Sequence, residues 1–279
     1  MGNCFCLVFL WLSVSIIFPA VEHAEVGSSE MAANPSNPVL SLAPYTLDDK
    51  YKGCTKVMKN NLKSLLETEL AITPKYKETW KASLRTWRKR KDSHSLPRNV
   101  TEFAEMAIMA YTYGNPSIYE EFNTATRTAG KAPREYAAYP FKSLHFLLTW
   151  GAKAFQSTKP KCTRVYRGTE VKFFTTKIFR FGQFTSTSER RTIAEFFGTI
   201  TFFNVFTCEG YSISEMSRIK FEDEVLIPPY ELFQVTSVKD TKNGKIVNAK
   251  SVGSCSNHNC AFVGKGWNGT MACPEHQGM

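Results

Sequence analysis

The chain has 279 residues, of which 43% are hydrophobic and 22% are charged, and its formal net charge is +10. This composition fits one globular domain, or one large domain with a smaller N-terminal subdomain. No Gly-x-Gly-x-x-Gly motif follows a predicted strand and no phosphate loop is present, which excludes the usual glycine-rich ways of holding a nucleotide.

The N-terminal region is predicted to direct secretion. Residues 1–20 carry no charge and are mostly apolar, which suits the core of a signal peptide, assigned here to residues 1–24, better than a membrane-spanning helix. The basic residues that usually open a signal peptide are missing, and Cys4 and Cys6 leave a lipid anchor as the alternative. Residues 25–41 have no periodicity and are predicted to be a flexible lead-in.

Six cysteines follow the signal peptide, without a C-x-x-C pair or a histidine-rich cluster: Cys54, Cys162, Cys208, Cys255, Cys260 and Cys273. An even number of dispersed cysteines predicts disulfides in an oxidising compartment rather than a metal site. The N-glycosylation sequons at Asn99 and Asn268 agree with secretion. Residues 263–279 are predicted to be a C-terminal extension without a glycolipid-anchor signal, so we expect a soluble, secreted, extracellular protein with no stable membrane insertion.

The first half of the chain has the apolar periodicity of α-helices. A stripe of leucines at helical spacing runs from Leu62 to Leu70, and Thr73-Pro74 opens a second helix. Three further helices are predicted at 101–113, 118–128 and 141–148, the last of them buried.

Two features of these helices have both a structural and a functional interpretation. The second helix carries a basic run that fits either a heparin or nucleic-acid patch or an ordinary solvated face. Because no aromatic platform accompanies it, no nucleic-acid partner is predicted. His145, in the buried helix, is interpreted as a hydrogen-bonded core residue rather than a catalytic one. The basic run consists of Arg85, Arg88, Lys89, Arg90 and Lys91.

From residue 159 onwards the periodicity changes to that of short β-strands. Gly168 is expected to end the first strand, and Ser188 is a candidate N-cap for a helix at 189–197. Lys242-Asn243-Gly244 is a turn signal between the last two strands. Helices followed by many strands predict an α+β fold. The strands are predicted at 163–167, 177–181, 183–187, 199–207, 222–227, 230–238 and 245–252.

Three short polar motifs interrupt these strands: Arg167 beside Gly168, Ser186-Thr187-Ser188 and Glu222-Asp223-Glu224. In an extended chain, residues two apart share a face, so Glu222 and Glu224 should lie about 6–7 Å apart and point the same way. Two carboxylates held that close are costly without a cation nearby. Taken alone the stretch fits a solvated acidic turn; with its neighbours it predicts a carboxylate pair for a positively charged reacting centre.

The three motifs and their surroundings resemble the arginine-specific ecto-mono-ADP-ribosyltransferases of vertebrates, whose active site has an Arg, a Ser-x-Ser and a Glu-x-Glu on successive strands. The resemblance runs from about Leu42 to Cys260. It implies a catalytic domain at 42–262 with a helical first half, a mixed or antiparallel β core and a central NAD-binding cleft. The implied activity is transfer of ADP-ribose from NAD to arginine on acceptor proteins, without a metal. The resemblance is carried by 48–54, 141–149, 165–168, 181–188 and 222–229.

The resemblance also implies a role for each site residue. Glu224 would stabilise the oxocarbenium-like ribose as nicotinamide leaves and hold a ribose hydroxyl. Arg167 would bind the NAD diphosphate, and Ser186 would position Glu224 and the ribose. Glu222 would position and deprotonate the acceptor guanidinium.

Other assignments follow from the same resemblance. Gly168 would let the backbone approach the nicotinamide amide. Phe196 would pack on the nicotinamide ring, with Phe197 as the alternative. Two disulfides are implied, Cys54–Cys260 and Cys162–Cys208, which leave Cys255 and Cys273 for a third.

Two competing functions use the same fold. An NAD glycohydrolase would result if water took the ribosyl cation in place of an acceptor. A catalytically silent secreted binding protein would keep only the fold.

Overall fold

The computed structural model describes residues 37–90, 102–156, 162–267 and 273. The predicted signal peptide, most of the lead-in, and the sequons at Asn99 and Asn268 lie outside these residues.

Helices make up most of the described chain before residue 157. The helices predicted from periodicity are confirmed, and the buried one extends further than 148. A short helix, α5, was not predicted, because its six residues are too few to show a helical period. The helices are α1 (Thr55–Ile72), α2 (Pro74–Arg90), α3 (Glu102–Tyr111), α4 (Tyr119–Thr126), α5 (Pro133–Ala138) and α6 (Lys142–Gln156).

The second half forms a mixed sheet of eight strands in the order β4-β9-β10-β6-β2-β5-β8-β7, in which only the β10–β6 pair is parallel within the described chain. This arrangement confirms the predicted α+β fold. Its strands are β2 (Thr163–Thr169), β4 (Ile178–Phe179), β5 (Thr185–Ser188), β6 (Thr201–Thr207), β7 (Tyr211–Ser212), β8 (Glu224–Ile227), β9 (Glu231–Thr241) and β10 (Gly244–Ser254).

A second, two-stranded sheet corrects one prediction. β1 (Val39–Leu40) pairs in parallel with β3 (Phe174–Thr175). Residues 39 and 40 therefore belong to the folded part of the chain and not to a flexible lead-in. Their backbone partners lie more than a hundred residues away, so no local pattern signals this pairing.

One of two hydrophobic core clusters in the described chain joins the helices to the sheet. The ring of Phe184, just before β5, stacks on that of Phe122 from α4 with centroids 5.7 Å apart, and Phe122 also contacts Phe141 before α6. All three side chains are fully buried. Burial of each such ring contributes about 1.5–3 kcal/mol, so this cluster fixes the helices against the strand that carries Ser186.

His145 is a core residue, as predicted. It is fully buried, with Nε2 3.0 Å from the carbonyl oxygen of Leu47 and Nδ1 2.9 Å from the hydroxyl of Tyr51. A carbonyl oxygen only accepts, so Nε2 carries the proton and Nδ1 accepts from Tyr51. Burial lowers the pKa of His145 to about 4, and the ring is neutral at physiological pH.

Gly168 does not end β2, contrary to the prediction. It pairs with Phe202 within the β2–β6 ladder, which continues to Thr169. A Cβ there would lie 2.2 Å from the backbone oxygens of Ala194 and Gly198. Both belong to what we call the α7 region, which is α7 (Arg191–Glu195) with the residues that follow it up to Gly198. The glycine is required because the α7 backbone packs directly on β2.

Three disulfides join distant parts of the chain: Cys54–Cys260, Cys162–Cys208 and Cys255–Cys273. All three predicted pairings are confirmed.

Asp48 is a second junction between the two ends of the domain. Its fully buried carboxylate pairs with the guanidinium of Arg180 and accepts backbone N–H groups of Asn257 and His258, both at 2.9 Å. Burial raises the pKa of Asp48, but the bonds and charges of His258 and Arg180 outweigh it and hold the pKa below its ordinary value. The residue therefore stays ionised inside the protein.

Candidate active site

Three neighbouring strands carry the side chains that the sequence singled out. β2, β5 and β8 are adjacent in the sheet, and Ser188 on β5 pairs with both Tyr166 on β2 and Glu224 on β8. Arg167, Ser186 and Glu224 line a single cavity at this point. Strand order therefore brings together residues from three separate motifs.

Glu224 lies at the bottom of this cavity with 5% of its surface exposed. Its carboxylate accepts hydrogen bonds from the hydroxyls of Ser217, at 3.2 Å, and Ser186. Burial, helped by the nearby Glu222, raises the pKa of Glu224 to about 7 against the lowering effect of the serines and Arg167. The carboxylate is about half ionised at neutral pH, and a cation beside it would favour the charged form.

Glu222 reaches the same cavity from a backbone conformation that differs from the prediction. It ends a 3₁₀ turn (Lys220–Glu222), and Asp223 is left-handed, with φ 45° and ψ 51°, before β8 begins. The extended conformation predicted at Glu222 is wrong, because aspartate tolerates this left-handed turn and the strand starts only at Glu224. Asp223 forms an ion pair with Arg190 at 3.0 Å, whereas both glutamates line the cavity.

Ser188 holds the turn that carries Glu222. Its hydroxyl donates to the carbonyl oxygen of Glu222 at 2.6 Å and accepts the backbone N–H of Arg190 at 3.0 Å. The N-cap of α7 is Arg190, so Ser188 does not cap that helix. Partial burial raises the pKa of Glu222 above its ordinary value.

Arg167 lies where two cavities meet. A guanidinium nitrogen donates to the backbone oxygen of Ser186 at 2.8 Å, which fixes the direction of the side chain. The second cavity, of about 460 Å³, is also lined by Arg127, by Gln183 and by the chain near Tyr45. Arg127 donates to the side-chain oxygen of Gln183. Arg180 also lines this cavity, but it is fully buried and paired with Asp48. The guanidinium groups of Arg127 and Arg167 therefore remain to face a space of the size that organic ligands occupy.

The cavity lined by Arg167, Ser186 and Glu224 is the smaller of the two. The α7 region forms a further wall of this smaller cavity through Ala194 and Phe197. Phe196 is 84% exposed and lies outside the lining of this cavity. Consecutive residues in a helical turn point about 100° apart, so the two rings face different directions. The structure places Phe197, the alternative in the sequence analysis, at the site.

Two residues at the site were missed by the sequence motifs. Tyr111 of α3 donates its hydroxyl to the carbonyl oxygen of Phe184 at 3.0 Å and is hydrogen-bonded to the Ser186 side chain. Ser217 contacts the Glu224 carboxylate directly. Tyr111 lies 75 positions before Ser186 in a helix that reads only as apolar, and Ser217 lies in a loop with no motif of its own.

The family profile described as NAD:arginine ADP-ribosyltransferase matches residues 40–257. The chain belongs to the NAD:arginine ADP-ribosyltransferase family. It is 40% identical over 230 residues to the erythroblast NAD(P)(+)--arginine ADP-ribosyltransferase of Gallus gallus, covering 81% of this chain and 76% of that protein. It is also 40% identical over 257 residues to NAD(P)(+)--arginine ADP-ribosyltransferase 2 of Gallus gallus, covering 90% and 80%.

Solved structures of the family show the same fold. The eukaryotic mono-ADP-ribosyltransferase ART2.2, solved as a mutant in complex with NAD, superimposes with a TM-score of 0.71 at 31% identity, covering 80% of this chain and 98% of that one. These findings confirm the predicted family, fold, NAD substrate and enzyme class of arginine ADP-ribosyltransferase. The roles of individual residues are predictions for this member of the family.

The described residues contain neither a metal-binding cluster nor a membrane-spanning helix. No group of three or more His, Cys, Asp or Glu side chains among them is placed to hold a metal ion. None of the helices in this part of the ADP-ribosyltransferase combines the length and the apolar character needed to cross a membrane.

Proposed function

We propose that this chain is an extracellular enzyme that transfers ADP-ribose from NAD to arginine side chains of acceptor proteins, with Arg167, Ser186, Glu224 and Glu222 as its reacting centre. One observation supports this above the others. A guanidinium, a hydroxyl and two carboxylates from three strands and a turn line the same cavity.

The position of Arg167 suggests how NAD lies. The forked guanidinium suits the diphosphate, because phosphate oxygens accept two parallel N–H groups. The nicotinamide and its ribose would then enter the smaller cavity, beside Gly168 and Phe197. The rest of the dinucleotide would extend into the cavity of about 460 Å³, where Arg127 adds a second positive charge.

Glu224 would act on the bond between the nicotinamide nitrogen and ribose C1′. As that bond breaks, its electron pair leaves on nicotinamide and positive charge develops on the ribose. A carboxylate fixed beside the ribose stabilises this charge more than it stabilises the ground state. Ser186 and Ser217 hold the carboxylate in place.

Glu222 would act on the acceptor. The Glu222 side chain lines the same cavity and is half-buried. A guanidinium nitrogen becomes nucleophilic when it gives up a proton, and Glu222, whose pKa is raised by burial, is suited to accept it. The nitrogen then bonds to C1′ as nicotinamide departs with the electron pair of the broken bond, and Glu222 keeps the proton.

Secretion is part of the proposal. It is supported by the three disulfides and by similarity to Ecto-ADP-ribosyltransferase 5 of Bos taurus, 37% identical over 237 residues. Expression from vertebrate cells should deliver the enzyme to the medium, with glycans at Asn99 and Asn268 removable by peptide N-glycosidase. Retention on the cell surface until a phosphatidylinositol-specific phospholipase is added would contradict secretion.

The activity is tested with purified protein, radiolabelled NAD and agmatine, a small guanidine acceptor. We expect nicotinamide release and ADP-ribosylated agmatine. Free ADP-ribose as the sole labelled product, whether or not agmatine is present, would identify a glycohydrolase. No nicotinamide release would identify a silent binding protein.

A further inference from the structure

A basic groove lies on the helical half of the enzyme, outside the NAD cavities. It has a volume of about 470 Å³ and is lined by Arg85, Arg88 and Lys89 from the last turns of α2, together with Tyr113 after α3. The three basic side chains are exposed. In the described parts of the chain, none of them forms an ion pair and no acidic residue lines the groove. The charged side chains that line the groove within the described residues are therefore all basic.

The groove adjoins the segment that leads to Glu222, the residue proposed to act on the acceptor. The guanidinium of Arg218, itself exposed, stacks 5.8 Å above the ring of Tyr113. The backbone N–H of Arg218 donates to the hydroxyl of Thr112 at 2.9 Å. Arg218 thus extends the basic surface onto the loop that ends at Glu222.

Two further bonds make this connection rigid. Arg90 donates to the backbone oxygen of Ser217 at 3.2 Å, and the hydroxyl of Ser217 donates to the Glu224 carboxylate at 3.2 Å. Hydrogen bonds through Ser217 therefore link the end of α2 to the Glu224 carboxylate. Arg218 lies four positions before Glu222, so their Cα atoms are at most about 14 Å apart.

We propose that the groove lined by Arg85, Arg88, Lys89 and Tyr113, with Arg218 beside it, binds an acidic segment of the acceptor protein next to the arginine that is modified. This inference rests on the proposed function. Guanidinium groups bind carboxylates in paired hydrogen bonds, and a groove of this size holds a few residues rather than a long polymer. An extended acceptor chain rises about 3.4 Å per residue, so an acidic segment that reaches Arg218 begins within about four residues of the target arginine and continues from there towards the groove.

The test compares two peptides, each with one arginine. The first carries Asp-Glu-Asp starting four residues away, on both sides, and the second carries Asn-Gln-Asn at the same positions. Wild-type enzyme should modify the acidic peptide with a kcat/KM about tenfold higher at low salt, and the difference should shrink in 0.5 M NaCl because exposed charges are screened.

Charge reversal in the groove provides the decisive comparison. Arg85→Glu with Arg88→Glu should abolish or invert the preference while agmatine, too small to reach the groove, is modified at an unchanged rate. The matched control is Arg164→Glu with Lys250→Glu. It makes the same charge change at a separate cavity, which is lined by residues of β2, β6, β9 and β10. This control should keep the preference.

Three results would overturn the docking proposal: no preference in the wild type, preference retained in the groove variant, or equal loss in the control. Binding of heparin lost only in the groove variant, without any peptide preference, would assign the groove to a sulfated polysaccharide instead. Failure of the wild type to modify agmatine would contradict the proposed function and is a separate outcome.

Discussion

At the scale of single residues, the ionisation of Glu224 links substrate binding to pH. Its pKa of about 7 in the free protein means that the ionised carboxylate, the form that the proposed mechanism requires, is incompletely populated at neutral pH. The nicotinamide ring of NAD is positively charged, so binding favours the ionised carboxylate. The reverse also holds, and protonation of Glu224 should weaken NAD capture.

This linkage predicts the pH profile. The kcat/KM for NAD should rise through a midpoint near pH 7 and level off above it, because this parameter reports the free enzyme. Ser217→Ala removes a hydrogen bond that lowers the pKa of Glu224, so the midpoint should move to higher pH. Steady-state NAD turnover between pH 5 and 9 measures both values.

The matched control for that variant is Ser214→Ala. The Ser214 hydroxyl contacts the backbone oxygen of Glu224 at 3.4 Å and not its carboxylate, so the midpoint should stay at its wild-type value. Equal midpoints in wild type and Ser217→Ala would show that Glu224 does not control the profile.

The sequence predicts the residues of this site unevenly. Arg167, Ser186 and Glu224 are found because each lies in a short polar motif that interrupts a run of predicted strands. Ser217 and Tyr111 are not, because their roles depend on contacts made only after folding. Ser217 bonds a carboxylate seven positions on through a loop, and Tyr111 meets a strand from another part of the chain.

At the scale of elements, the α7 region decides which ring lines the cavity where we propose that nicotinamide binds. The helix is only five residues long, Arg191–Glu195, whereas the sequence predicts 189–197. Its backbone packs against Gly168, and Phe197 follows at the cavity wall. A pair of adjacent phenylalanines does not reveal which ring faces the site until the end of the helix is known.

Phe197→Ala should raise the KM for NAD about 3- to 10-fold, because a ring contact of this kind contributes about 0.5–1.5 kcal/mol. The adjacent Phe196→Ala changes the same side chain outside the cavity and should leave KM within about twofold. Titration of initial rates with NAD distinguishes the two. A larger effect from Phe196 than from Phe197 would assign the nicotinamide contact to the other ring.

Elements with strong local signals were predicted well. The long helices have periodic apolar stripes, and Lys242-Asn243-Gly244 marks the hairpin between β9 and β10. The two-residue strands β1 and β3 have no such signal, since their stability comes from a partner far along the chain. The turn at Asp223 was missed because the apolar run at 225–227 predicts a strand but does not show where it begins among the acidic residues before it.

At the scale of the whole molecule, Asp48 connects the start of the domain to its end. Asp48→Asn removes a charge that Arg180 and the 257–258 backbone are arranged around, and it leaves the buried guanidinium without its ion pair. We expect a loss of about 3–5 kcal/mol in the free energy of unfolding, measured by urea denaturation.

The control for that measurement is Asp240→Asn, at an exposed position near the end of β9. It should change the unfolding free energy by no more than about 0.5 kcal/mol. A similarly small change in Asp48→Asn would show that the disulfides and the apolar core alone hold the two ends together.

The central claim is that the two glutamates divide the reaction, with Glu224 acting on NAD and Glu222 on the acceptor. The most direct test is the rate of nicotinamide release and of agmatine modification in Glu224→Gln and Glu222→Gln. Glu224→Gln should lower both rates by about 10²–10³-fold or more. Glu222→Gln should abolish agmatine modification while part of the NAD hydrolysis remains, and equal loss of both activities in the two variants would contradict the account.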